Sequence, residues 1–148
     1  VFSSDAEAFA AAEATYRAYV DALNDVDLSD PATFEPVFAL TTGEANAGAR
    51  KSFSQMHSDG WVVSGESTVS SITPYATDRD TTDALRTVDV IACLDVSAVT
   101  LVDAAGESVV DPSRPDVQTV RVQAVPDTQS AIGLLIQTLD GHEGTECE

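Results

Sequence analysis

The sequence predicts an α+β domain in which three N-terminal helices pack on a long, curved antiparallel sheet of about four strands. Two observations carry this. Apolar residues recur at helical spacing up to residue 58, while the chain beyond residue 61 reads almost wholly as strand. The change falls at Asp59-Gly60-Trp61, where the glycine is placed to end a helix in the left-handed conformation. Helices grouped ahead of strands, rather than interleaved with them, favour helices covering one face of an antiparallel sheet. At 148 residues the chain is read as one domain, with a helical part at 1–60, a sheet at 61–140 and a tail at 141–148.

The first helix opens on a capping box, Ser4-Asp5-Ala6-Glu7. Its buried stripe is Phe9, Ala12, Tyr16, Tyr19, Val20 and Leu23, and Glu13, Arg17 and Asp21 sit one turn apart on the outer face. Asp30 as N-cap and Pro31 at the first helical position restart helix after Asn24 to Asp27, with Phe34, Val37 and Phe38 on its apolar side. A second capping box, Thr41 to Glu44, is expected to open the third helix, which presents Ala45, Ala49, Phe53 and Met56 or His57.

Among the strands, residues 61–75 read as one irregular strand with a bulge, and Pro74 suggests an edge. Residues 85–102 read as one long strand bent by a bulge near Ser97-Ala98. Val88, Val90, Ala92, Leu94 and Val96 share one side of it; Asp89, Ile91, Cys93 and Asp95 share the other. A hairpin turn at 103–106 leads into a strand at 107–110, and residues 111–115 form a rigid loop. Residues 117–125 alternate, with Val120 and Val122 towards the core, and residues 131–139 are apolar on both faces, which predicts a central last strand.

The net charge of -18, with 25 acidic against 7 basic residues, repels phosphate backbones and anionic lipid and so argues against nucleic-acid and membrane-surface binding. The longest apolar runs are too short to span a bilayer. Val1 opens the chain without a methionine, which reads as trimming or processing. Of the two cysteines, Cys93 lies mid-strand and Cys147 lies in a polar tail where a thiol has no packing role. A Cys93–Cys147 disulfide pinning the tail to the sheet supplies one and places the protein in an oxidising compartment. The alternative is a buried Cys93 and a frayed Cys147, both free. Two cysteines and two scattered histidines offer no metal-ligand spacing, and no cofactor fingerprint is present.

The run Ala14-Thr15-Tyr16-Arg17-Ala18-Tyr19-Val20-Asp21-Ala22-Leu23-Asn24 is similar to the first helix of many members of the nuclear-transport-factor-2-like superfamily. The closing Gly133-Leu134-Leu135-Ile136 and Asp140 to Cys147 resemble the tail of small exported actinobacterial lipoproteins of unknown function. The likeness extends in element order over nearly the whole chain. It implies a cone-shaped α+β fold, extracellular or cell-surface localisation and, in a longer form, an N-terminal lipid anchor. The superfamily includes isomerases, dehydratases and cyclases as well as binding and assembly domains, so the likeness alone does not choose an activity.

Candidate residues are few. Tyr16, Tyr19 and Trp61 are the expected ligand contacts, with Phe53 beside them, although amphipathic stripes of this kind commonly serve only as core. Asp95 is the one acid placed to act as a general base, provided its side of the strand lines an apolar pocket. His57, Ser58 and Asp59 adjoin at a helix end and cannot face one another as a triad; His142 lies in the tail, and residues 78–83 read as a solvated turn rather than a calcium loop. The expectation is an exported, non-enzymatic domain that binds a small molecule or a protein partner at the cell surface. The alternatives are a lyase or isomerase using Asp95, and an assembly domain forming a homodimer through its sheet.

Overall fold

A computed structural model describes residues 5–75, 87–127, 132–141 and 147. Helix α1 (Asp5–Asn24) follows the expected stripe: Ala12, Tyr16 and Val20 are buried, and Phe9 and Tyr19 pack at the margin. Thr15 is buried too, because its hydroxyl donates back to the Ala11 carbonyl at 2.7 Å and so carries no unmet polar group inward. Arg17 and Glu13 pair at 3.1 Å on the outer face. Ser4, the first member of the expected capping box, lies outside the described residues.

The Asp30 cap forms as expected. Its carboxylate accepts from the Ala32 N–H at 3.1 Å, with Pro31 in the first position. It opens a short 3-10 helix (Pro31–Phe34) that runs directly into α2 (Glu35–Ala39). Helix α3 (Gly43–Ser58) ends where Gly60 takes a φ of 72°. There the Trp61 N–H donates to the Met56 carbonyl at 3.0 Å and the Gly60 N–H to the His57 carbonyl at 3.2 Å, the two bonds of a Schellman end. The box expected at Thr41 to Glu44 does not form. Thr41 is bridged to Ile136 of the sheet, and its hydroxyl turns back to the Val37 carbonyl at 3.1 Å; Thr42 takes the N-cap position without a side-chain bond.

Among the described residues six strands make two antiparallel sheets, where about four strands in one sheet were expected. The larger has the order β2 (Thr68–Pro74), β3 (Val88–Asp95), β5 (Val117–Pro126), β6 (Leu134–Gly141); β1 (Val62–Ser64) and β4 (Thr100–Val102) form a separate pair. The expected strand at 61–75 is therefore two strands parted at Gly65, with the bulge inside β2 between Val69 and Ser71. Gly65 has a φ of 86°, and a Cβ there would collide with the Ala98 carbonyl, so only glycine lets these two turns meet. The expected bend at Ser97-Ala98 is a full break. Asp95 accepts from the Ser97 N–H at 2.9 Å and from the Ser97 hydroxyl at 2.6 Å, and this local turn ends the ladder and releases β4 to the other sheet. The hairpin turn forms, with Gly106 at a φ of 85°, but its second arm makes only a single bridge, Val102 to Ser108.

Strand β6 is an edge strand, not the central one expected. Its two-sided apolarity has another cause: the α2–α3 connection covers its open edge. Ile136 N–H donates to the Leu40 carbonyl at 2.9 Å, and Thr42 N–H donates to the Ile136 carbonyl at 2.8 Å. Leu134 and Ile136 are fully buried as a result. The core lies between α1 and one face of the sheet, built from Ala12, Tyr16, Val20, Val90, Ala92, Val122, Ala124 and Ile136. The other face of β3 is also buried, at Asp89, Ile91 and Cys93.

Candidate functional site

The Cys93–Cys147 disulfide forms, joining residues 54 apart with a Cα–Cα distance of 5.6 Å. It brings Cys147 against β3 near the end of the sheet where β6 stops. The register explains the opening beside it. Strand β6 ends with Gly141 opposite Val120, whereas β5 continues to Val117 against Asp95 of β3. Helices α2 and α3 lie at the other end of β6. An open cavity of about 930 Å³ remains at the uncovered end, between α1 and the sheet. Tyr16, Tyr19 and Leu23 line it from the helix; Leu94, Pro115, residues 117–120 and Leu139 line it from the sheet, and Cys147 forms part of its wall.

The two tyrosines are one turn apart on α1, with ring centroids 5.9 Å apart and stacked. Tyr16 is 1% exposed, yet neither phenol hydroxyl has a hydrogen-bond partner among the described residues. Neither hydroxyl is among the fully buried polar atoms left without a partner, so both reach the open space of the cavity. Burial raises the pKa of both: Tyr19 is pushed up to about 12, and Tyr16, further raised by Tyr19, lies higher still. Both are therefore neutral donors throughout the physiological range. Among the described lining residues, Asp140 is the only titratable side chain apart from the phenols, and it is exposed; none of them is Lys, Arg or His.

The expected contacts separate. Tyr16 and Tyr19 meet in the cavity, while Trp61 follows the end of α3 and is not among the lining residues. Phe53 stacks instead with Phe34, at 5.1 Å between centroids, and with Phe38 at 6.1 Å. Asp95 pairs across the ladder with Val117, a cavity residue, but does not itself line the cavity. Its carboxyl is held below the usual carboxylate range by the two bonds from Ser97, the opposite of the raised group a buried general base requires. His57 ties α3 to the loop after α1, its Nδ1 donating to the Leu28 carbonyl at 2.7 Å. His142 and residues 78–83 lie outside the described residues.

Leu139 and Val120 were not foreseen as cavity residues. Each read as ordinary core, and their exposure depends on where β6 stops. On the far face of the sheet Arg121 donates to Asp89 at 2.8 Å and lies 4.6 Å above the Tyr75 ring; Asp89 Oδ1 is buried without a partner among the described residues. No group of three or more His, Cys, Asp or Glu among the described residues is arranged to hold a metal ion, and no helix there is long and apolar enough to cross a membrane. Comparison with protein-family models, curated proteins and solved structures finds no match to this chain.

Proposed function

We propose that this chain is an exported, non-enzymatic binding domain of the nuclear-transport-factor-2-like type that holds a small molecule in the cavity at the open end of its sheet. The observation that carries the reading is the Tyr16–Tyr19 pair: two neutral donors without partners among the described residues, in a mainly apolar cavity of ligand size. The disulfide supports an environment that is not reducing, in keeping with export. The resemblance to cell-surface lipoproteins supplies the location.

The rival readings have less support. A lyase or isomerase lacks its base, because the Asp95 carboxyl is engaged by Ser97 and outside the cavity lining. Assembly through the sheet calls for an exposed apolar face. Among the described residues the one exposed large hydrophobic side chain is Val62, in the small β1–β4 sheet. The test is a titration of the oxidised protein with Nile red, an uncharged dye whose emission shifts to the blue in apolar surroundings. The expected result is saturable 1:1 binding that is lost in Val120→Trp, with the circular dichroism of that variant unchanged. Absence of saturable binding in the wild type would overturn the reading.

A further inference from the structure

The chemistry of the cavity points to a ligand class. We infer that it takes an uncharged amphiphile, with an apolar body against Leu23, Leu94, Val117, Val120 and Leu139 and an acceptor oxygen, such as an alcohol, ether or ketone, hydrogen-bonded by Tyr16 and Tyr19. This inference rests on the cavity being a binding site and names what fills it.

Three observations carry it. The first is the unmet donor pair. Tyr16 is almost wholly buried, and its hydroxyl lacks a partner among the described residues, as does that of Tyr19 one turn away. Neither hydroxyl is among the fully buried polar atoms left without a partner, so both reach the open space of the cavity, where one ligand oxygen can accept from the two phenols. A phenol is also a donor that stays neutral here, so it favours an acceptor without demanding a charge. The second is the wall. Outside the phenols, Gln118 and Thr119 supply polarity from β5, while the helix and the strand ends contribute hydrocarbon. That pattern suits a mostly apolar molecule with one polar end. The third is electrostatic. No cationic side chain lines the cavity among the described residues, and the whole chain carries a net charge of -18. A carboxylate or phosphate entering such a site would lose its hydration, gain no counter-ion and approach against the field of the protein. A cation would approach favourably, but apart from the exposed Asp140 no acidic side chain among the described lining residues would neutralise it once it had lost its hydration. The one carboxylate at the rim, Asp140, is exposed and lies across the ladder from Arg121, whose charge it helps to stabilise.

The test compares three chains of equal length, 1-decanol, decanoate and decylammonium, at pH 7.5 with the intact oxidised protein. Each is titrated calorimetrically and as a competitor of bound Nile red. The expected result is displacement by 1-decanol at a concentration at least tenfold below that needed for either ion. Tyr16→Phe/Tyr19→Phe, which keeps both rings, should weaken 1-decanol about tenfold and leave Nile red saturation intact. Equal displacement by decanoate or decylammonium, or an unchanged 1-decanol affinity in the double variant, would overturn the ligand class while leaving the cavity reading in place. Absence of binding by the dye and by all three chains would remove the cavity reading and this inference together.

Discussion

The two ends of β6 face the same helix layer yet have opposite fates. At its start Leu134 and Ile136 are fully buried; at its finish Asp140 and Gly141 are exposed, and Leu139 lies half-buried between them. Side-chain chemistry does not account for the difference, since Leu139 is as apolar as Leu134. The cover does. The α2–α3 connection hydrogen-bonds to the first half of the strand through Leu40 and Thr42, and among the described residues no such backbone bond covers the second half. One end is closed by local chain that follows α1 in sequence. The other is bounded by Cys147, held by a disulfide to Cys93, 54 positions away. The sealed end stabilises the domain, and the open end leaves room for a ligand.

The largest expected effect tests the bond at the open end. Cys147→Ser, or reduction of the wild type, removes a closure worth about 4 kcal/mol on the loop-entropy account. Thermal unfolding should move down by roughly 10 °C for a chain of this size. An unchanged midpoint would mean that the tail contributes nothing to the fold. Next comes the sealed end: Ile136→Ala leaves a hole in fully packed surroundings and should cost about 3 kcal/mol by denaturant titration. Leu139→Ala, the same kind of truncation on the same strand, should cost only about 1 kcal/mol because its site already opens on a cavity, yet it should weaken Nile red binding. Equal losses at the two positions would erase the contrast.

Two smaller effects follow from ionisation. The folded-state values of Tyr16 and Tyr19 lie above the ordinary value of 10.0. The stability they contribute is thus complete below pH 10 and declines as pH rises through 10 to 12. Alkaline titration followed at 295 nm should show two of the three tyrosines ionising late, and Tyr16→Phe should blunt the loss of stability. The smallest effect is at Asp95. Its carboxyl is depressed by Ser97, so its contribution is present above the unfolded value of about 4 and disappears as pH falls through the lower folded value. Wild type and Asp95→Ala should therefore differ slightly at pH 7 and converge in acid.

Local periodicity made much of this legible. The α1 stripe, the Asp30-Pro31 start and the Gly60 end follow from spacing and from the conformations that proline and glycine allow. The cysteine pair was legible for a different reason, because a thiol in a polar tail has no other role. Two features were misread where a distant partner decided the outcome, and a third where the signal was local. Residues 134–136 read as a central strand, since a sequence cannot distinguish cover by a neighbouring strand from cover by the backbone of residues 40–42. Thr41 read as a cap, but its bridge to Ile136 turns its hydroxyl towards α2. The break after Asp95 did have a local signal. Asp-x-Ser occurs at Asp27, Asp95 and Asp111, and each aspartate accepts from the N–H and hydroxyl of the serine two residues on, the mark of a turn rather than a bend. At the cavity, the tyrosines were visible as residues, but their setting was not. Whether Leu139 and Val120 line a core or a cavity depends on the length of β6, which no local pattern encodes.

The most direct test of the open-end account is shift mapping by methyl and aromatic NMR as 1-decanol is added to the oxidised protein. The account predicts changes at the Tyr16 and Tyr19 rings and at the methyls of Leu94, Val120 and Leu139, with Leu134 and Ile136 unmoved. Changes centred on the Phe34, Phe38 and Phe53 cluster, or spread evenly over both ends of β6, would contradict it.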